Sequence, residues 1–318
     1  MPTGVDFGWI LPHGRARMPS GGLAALAAQA QTVLDAARGH VRSLWIADHF
    51  MAGDDGTAPL PEALTTLAYL AAKIPDVRLG TLVLGQNYRN PALLAKMAAT
   101  LQVLSGGRFV CGIGAGWKEE EYRAYGYEFP SAAVRIAQMV EAVQICRLMW
   151  DPGRRQATFH GRYYRIDRAT CEPKPVPAPP VLIGGGGEKL TLRAVAEYAD
   201  WWNLPGVSPD EFARKTAILA RHCGTVGRDP AVILKSWKGV VAIARTREEA
   251  AAHLHGYPIW PGDVPLLGTP EDIREQIGAY VRAGVQSFML EFADEPATEG
   301  VRLFAEEVAP AFRAESRA

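Results

Sequence analysis

The sequence predicts a single (β/α)8 barrel spanning residues 1–318, and three observations carry that prediction. Strand-like and helix-like segments alternate almost throughout, the pattern of a parallel sheet with crossover helices. Eight strand-like runs are each apolar along their length, as strands covered on both faces are. The length of 318 residues suits one such barrel of roughly 250 residues with insertions, although two average domains would also fit. A doubly wound open sheet is the runner-up. It usually has fewer strands and a recognisable dinucleotide fingerprint.

The first strand is the run from Val5 to Ile10, followed by an amphipathic helix over 22–38. Ser43 to Asp48 gives the second strand, with a helix over 61–73. Val77 to Leu84 gives the third, with a helix over 91–104, and Arg108 to Ile113 the fourth, with a helix over 131–150. Strands near 180–184, 199–203, 232–243 and 285–291 complete the eight. Their helices lie over 188–198, 209–223, 246–254 and 270–283, and a last helix at about 298–312 closes the chain. The interval between strands four and five is longer than one helix requires. Its surplus, about 151–180, is proline-rich and carries a hairpin-like patch from Thr158 to Tyr164. Long loops inside a compact domain are usually functional, so this insertion is expected over the catalytic face.

Composition narrows the function. Basic and acidic residues balance at 34 each, which argues against a nucleic-acid binder or a polybasic membrane binder. Hydrophobic residues at 48% and charged ones at 21% describe a chain with a substantial core. No apolar run approaches the ~18–20 residues of a membrane helix, and no basic-then-apolar leader opens the chain. Cys111, Cys146, Cys171 and Cys223 form no Cys-x-x-Cys pair and do not cluster with histidines. They read as free thiols in a reducing cytoplasm, with no metal site.

Barrel active sites lie at the C-terminal ends of the strands, which turns the strand reading into a residue list. Trp9 and His13 follow strand one, Asp48 and His49 strand two, and Asn87 and Tyr88 strand three. His49 is a candidate for proton transfer, since an imidazole exchanges protons near neutral pH. Asp48 would point to the other face of a regular strand, and no His-x-His follows strand one, so a metal-dependent hydrolase is disfavoured. Gly184, Gly185, Gly186 and Gly187 follow a Pro-Val-Leu-Ile strand and precede a helix. Such a turn brings backbone N–H groups and a helix N-terminus to a phosphate, and four glycines exceed what a tight turn needs. Gly112, Gly114 and Gly116 alternate along the end of strand four, with Ala115 between the last two. They leave one face bare, either for a flat ring or merely to relieve crowding inside the barrel. Glu119, Glu120 and Glu121 read as a solvated first helical turn.

These residues carry a family likeness. The run Arg108 to Trp117, the strand Ser43 to His49, Gly80 to Val83, Asp200 to Asn203, Pro180 to Gly187 and the late Gly268-Thr-Pro-Glu start resemble the luciferase-like monooxygenase superfamily. The likeness is nearest to its coenzyme F420-dependent oxidoreductase branch. It implies a barrel with an insertion after strand four and a flavin or deazaflavin ring against a bulge at strand three. A non-proline cis peptide would map to Leu82–Val83, and the cofactor phosphate would meet Gly184–Gly187. Asn87, Gly114, Ala115 and Gly116 would complete the cofactor site, and Lys189 and Arg193 could meet a glutamate tail. His49 matches a strand-two histidine proposed for proton transfer, with Asp48 beside it. The sugar-phosphate dehydrogenases of that branch carry a glutamate where strand four ends, but this chain reads Trp117, so glucose-6-phosphate is disfavoured.

Trp9, His13, Tyr88, Trp117, Tyr163 and Trp237 would then wall an aromatic pocket for an enone, ketone or secondary alcohol. The resulting expectation is hydride transfer between F420 and a small organic substrate. The alternatives are an FMN-dependent two-component monooxygenase and a catalytically silent flavin-binding barrel. The likeness further implies a homodimer and a separate reductase supplying reduced cofactor.

Overall fold

Eight parallel strands close on themselves in the order β1 (Asp6–Ile10), β2 (Val41–Ile46), β3 (Arg78–Thr81), β5 (Phe109–Gly114), β8 (Val181–Gly184), β9 (Trp201–Pro205), β10 (Leu234–Ile243) and β12 (Ser287–Phe292). Pairing of β9 with β10 completes the ring. The computed structural model describes residues 4–12, 19, 21–53, 56–259 and 262–313. Outside the ring, β4 (Leu84–Gly85) continues the third strand after a bulge, β11 (Leu266–Gly268) extends the sheet beside β10, and β6 (Ala157–His160) and β7 (Arg165–Ala169) form a hairpin. The helices are α1 (Leu26–Ala36), α2 (Ala63–Lys73), α3 (Pro91–Leu104), α4 (Glu119–Ala124), α5 (Ala132–Trp150), α6 (Thr191–Tyr198), α7 (Pro209–Val226), α8 (Arg247–Leu254), α9 (Pro270–Arg282) and α10 (Glu299–Leu303).

The eight expected strands all form, and the departures have local causes. The third is cut at Thr81 by the Leu82–Val83 bulge, whose peptide is cis. The helix expected from 188 begins only at Thr191, because the glycine turn and Leu190 offer no side-chain cap. The final segment, expected as one helix, passes from α10 into a π turn and then a 3-10 turn containing Pro310. A proline lacks the N–H that a longer α-helix would use. Several helix starts are set by side-chain oxygens: Asn90 caps α3, Ser131 caps α5, Ser208 caps α7 and Thr269 makes a capping box on α9.

Alternation along the strands sorts residues into two cores. Outward side chains pack under the helices in one large cluster. Inward ones (Ile10, Trp45, Leu82, Val110, Leu182, Trp201 and Met289) plug the barrel. The Trp45 indole spans this plug, donates to Ser43 Oγ at 2.8 Å and lies where a Cβ on Gly8 or Gly80 would stand. Ligand space therefore remains only above the plug, at the C-terminal ends of the strands.

The same alternation corrects two expected pocket residues. Trp9 and Trp237 are fully buried and face outward. Trp237 stacks on Tyr280 with ring centroids 4.7 Å apart and donates to the Val207 carbonyl. Trp9 donates from Nε1 to Glu295 at 2.6 Å. The insertion also differs from expectation. The backbone N–H groups of Arg162, Tyr163 and Tyr164 donate to Glu141 of α5, and Lys174 donates to the Met149 carbonyl. It thus packs outside α3 and α5, and its approach to the catalytic face is the Tyr164 hydroxyl on Gln86, at 3.0 Å. All four cysteines are free and buried, and no described helix is long and apolar enough to cross a membrane.

Glu295 yields a stability prediction. Burial pushes its carboxyl up to about 8 despite the Trp9 hydrogen bond, and Oε2 has no partner. The folded state therefore holds a proton that the unfolded chain releases near its ordinary carboxylate value, so rising pH costs stability between those two values. Glu295→Gln keeps an acceptor for Trp9 and removes that loss. At pH 9 it is expected to exceed the wild type by at least about 1 kcal/mol in urea denaturation, with the difference shrinking toward pH 5. An unchanged pH profile in the variant would contradict this account.

Candidate active site

A cavity of about 880 Å³ opens at the C-terminal ends of the strands, mostly apolar, with a few converging polar groups. Its walls come from the ends of β2 (Ala47, Asp48, His49), the bulge and β4 (Leu82, Val83, Leu84, Gly85), the end of β5 (Gly114–Trp117), and the glycine turn after β8. Asn203, Pro205 and Lys238 close the far side together with Pro258, Ile259 and Asp263.

His49 and Asp48 are neighbours with opposite fates. Asp48 is buried and accepts both terminal nitrogens of Arg89 at 2.8 Å, together with the Gly85 N–H at 3.1 Å. Arg89 also meets Glu62, the N-cap of α2. With its lone pairs engaged in this bidentate pair, Asp48 holds the rim in place at the edge of the cavity it lines. His49 turns the other way, half-buried, with its ring edge-on to Trp117 at 5.5 Å.

The residue that sequence reasoning missed is Glu121. It was expected in a solvated turn, yet its side chain is fully buried. Oε2 accepts from His49 Nδ1 at 3.0 Å and from the Tyr88 hydroxyl at 2.9 Å. Oε1 accepts from the Phe50 and Met51 N–H groups and from Lys118 Nζ, at 3.1–3.2 Å. Burial alone would raise its pKa, but the bonds from His49, Lys118 and Met51 outweigh that and hold it down to about 2. An ionised carboxylate only accepts, so Nδ1 of His49 carries the hydrogen and proton exchange is left to Nε2. Tyr88 lines the cavity as expected, but its hydroxyl is committed to Glu121, and burial beside that carboxylate pushes its pKa up.

The glycines divide between the two readings the sequence left open. A Cβ on Gly112 would collide with the Thr81 carbonyl, whereas one on Gly114 would press on Val83 at 2.6 Å and one on Gly184 would stand 3.1 Å from Val83. The face they leave bare is thus filled by the Thr81 carbonyl and the Val83 side chain, not by open space. Gly116 has φ +76° and sits against the Tyr122 hydroxyl. Gly185 has φ +115°, a conformation L side chains rarely adopt, and a Cβ on Gly186 would lie 2.6 Å from Leu204. The bare backbone of this turn lines both the cavity and an adjoining shallow pocket bearing Lys189 and Lys215.

Ala115 and Trp117 also line the cavity. Asn87 does not; its amide donates to Gln138 at 3.2 Å. Tyr163 lies with the hairpin outside the cavity, its ring under Arg162. Arg193 pairs with Glu197 on α6. His13 falls outside the described residues. Lys238, next to the misassigned Trp237, is a cavity residue; strand alternation starting from the inward Ser236 would have found it.

Residues 5–263 match the family model described as luciferase-like monooxygenase. Over 153 residues the chain is 39% identical to an F420-dependent glucose-6-phosphate dehydrogenase of Kineococcus radiotolerans, covering 48% of this chain and 44% of that protein. A phthiodiolone/phenolphthiodiolone dimycocerosates ketoreductase of Mycobacterium tuberculosis is 26% identical over 310 residues, covering 89% and 75%. The chain thus spans less than half the length of the glucose-6-phosphate dehydrogenase and three quarters of the ketoreductase. Among solved structures, an F420-dependent secondary alcohol dehydrogenase in complex with an F420-acetone adduct superposes with a TM-score of 0.83 at 21% identity, covering 98% and 100%. At that identity the likeness speaks for the fold alone.

Replacing Glu121 tests its place at the rim. Glu121→Gln is expected to lower stability by about 3 kcal/mol in urea denaturation, the scale of breaking a buried pair. Because the wild-type carboxyl is held below its ordinary value, its contribution is complete above about pH 4.5 and is lost as pH falls toward 2. Nitrogen-15 NMR should show His49 with hydrogen on Nδ1 in the wild type and a tautomer mixture in the variant. A single unchanged tautomer would mean that Glu121 does not orient the ring.

Proposed function

The chain belongs to the luciferase-like monooxygenase family, and from that premise we propose that it is an F420-dependent oxidoreductase acting on a small, largely apolar ketone, enone or secondary alcohol. The observation that carries the reading is His49, turned toward an apolar cavity with its far nitrogen fixed by an ionised, buried carboxylate. Such a histidine has one exchangeable position, at Nε2, for a proton that must accompany a carbonyl-to-alcohol change. The names of the ketoreductase and the glucose-6-phosphate dehydrogenase agree with that chemistry.

The residues present fit a deazaflavin. The Gly185–Gly187 backbone offers N–H groups without side chains in the way, and α6 begins just beyond it. Leu82, Val83 and Ala115 offer an apolar wall to a ring system, and Lys189 and Lys215 border the turn where an acidic tail would leave the cavity. When bound, F420 would supply two-electron hydride chemistry. The chain's own part is orientation and proton traffic. Glu121 holds His49, His49 Nε2 donates to or accepts from the substrate oxygen, and the apolar walls exclude water.

Tyr69, Leu93 and Leu104, exposed on α2 and α3, support pairing of two copies through these helices. A separate cytoplasmic reductase regenerating the cofactor belongs to the same reading.

Two substitutions test it. His49→Ala should keep F420 affinity within about threefold while lowering turnover more than tenfold; unchanged turnover removes the proton-transfer role. Gly186→Val should abolish F420 binding, since its side chain enters space held by Leu204 and covers the turn. Equilibrium titration with F420 and FMN side by side decides the cofactor. Preference for FMN would replace hydride transfer with the oxygen chemistry of a two-component monooxygenase.

A further inference from the structure

On a wall three strands round the barrel from His49 the cavity carries a second tied pair. Lys238 projects inward from β10 and its Nζ lies 3.0 Å from Glu291 Oε1, a buried carboxylate on β12. The Tyr257 hydroxyl donates to Glu291 Oε2 at 3.0 Å. Around the barrel, β10 and β2 are separated by β12 and β1, so Lys238 and His49 stand three strand positions apart in a ring of eight. Leu82, Val83, Pro258 and Ile259 are apolar surface on the same cavity.

An ammonium has three N–H donors, and Glu291 can engage only part of them. The pair is electrically compensated, however, and the Asp263 carboxyl lines the same side of the cavity. An incoming anion would gain Lys238 but face the Glu291 carboxylate 3.0 Å from it. A neutral carbonyl or hydroxyl oxygen gains the charged donor without that repulsion. A wholly apolar group there would leave the donor desolvated and unanswered, and sites built to hydrogen-bond discriminate strongly against such analogues.

Building on the oxidoreductase reading, we propose that Lys238, held by Glu291, is a specificity-determining residue that anchors a second, neutral oxygen of the substrate at this wall. The substrate class is then a ketone or alcohol bearing another carbonyl or hydroxyl group remote from the reacting carbon.

Three ring ketones of matched shape test this by calorimetric titration, with and without F420: cyclohexanone, 1,4-cyclohexanedione and 4-oxocyclohexanecarboxylate. The wild type should bind the dione at least tenfold tighter than cyclohexanone and bind the carboxylate weakest. The double variant Lys238→Met/Glu291→Gln, which leaves no charge unpaired, should bring dione and cyclohexanone within twofold. Glu291→Gln alone should raise the carboxylate's affinity, because Lys238 then lacks its compensating charge. In turnover the double variant should raise KM for the dione while leaving kcat within twofold. His49→Ala should leave the affinity ratio untouched.

Equal affinities in the wild type, tighter binding of the carboxylate, no binding of any of the three, or a dione preference that survives the double variant would each overturn the anchor. Failure of F420 to bind in the same calorimeter would instead remove the oxidoreductase reading, and the ketone affinities would still report on Lys238.

Discussion

A carboxylate taken out of water must have its charge met by donors, and Glu121 collects five of them from three loops of the barrel rim. His49, Phe50 and Met51 come from the loop after β2, Tyr88 from the loop after β4, and Lys118 from the stretch that leads into α4. Apart from the short bridges of Ala52 with Thr57 and Ala58, the described residues of these loops make no strand or helix. The buried charge holds them, because any loop that swings away leaves it under-coordinated in a low dielectric. The orientation of His49 is a by-product of that demand. The Asp48–Arg89–Glu62 cluster repeats the device one residue earlier and on the opposite face, tying the end of β2 to β4 and α2.

The glycines show how one residue type serves unrelated ends within a short distance. Gly8 and Gly80 make room for Trp45, which seals the barrel from below. Gly114 and Gly184 make room for Val83, which forms part of the cavity wall, and Gly112 makes room for the Thr81 carbonyl. Gly185 is needed for its backbone conformation, and Gly186 and Gly187 keep the following turn narrow. A sequence displays the absence of a Cβ in each case but not what occupies the space. That is why Gly112 to Gly116 admit two readings on spacing alone.

Strand positions were legible because burial on both faces makes each strand a continuous apolar run. The helices between them were legible because only one face of each is covered. The same continuity hides direction, since nothing in such a run says which alternate side chain points inward. Trp9 and Trp237 were drawn into the pocket for that reason, and Lys238 was passed over beside the second. Glu121 was illegible for another. Three consecutive glutamates read as solvent-facing at a helix start, and Glu119 and Glu120 do lie there. Only the fold, which brings four donors from distant loops to one of the three, separates it from its neighbours. The Gly184–Gly187 turn was legible in the residues themselves, whereas the Leu82–Val83 bulge was found through resemblance, because its backbone geometry leaves no mark in composition.

The two polar walls of the cavity are not equivalent, and the difference is chemical as well as positional. His49 presents a nitrogen that can take or give a proton, whereas Lys238 beside an ionisable carboxylate presents N–H bonds that only donate. Each is fastened from behind by a buried acid, so neither is free to reach across and substitute for the other. Leu82, Val83 and Ala115 give the cavity apolar surface besides these two groups, and a molecule lying against it loses water there without gaining a polar contact. A cavity built this way distinguishes the two ends of an otherwise symmetrical guest. In the proposed reaction the oxygen that gains or loses a proton is the one set at His49, since among these two groups the Lys238 ammonium only donates.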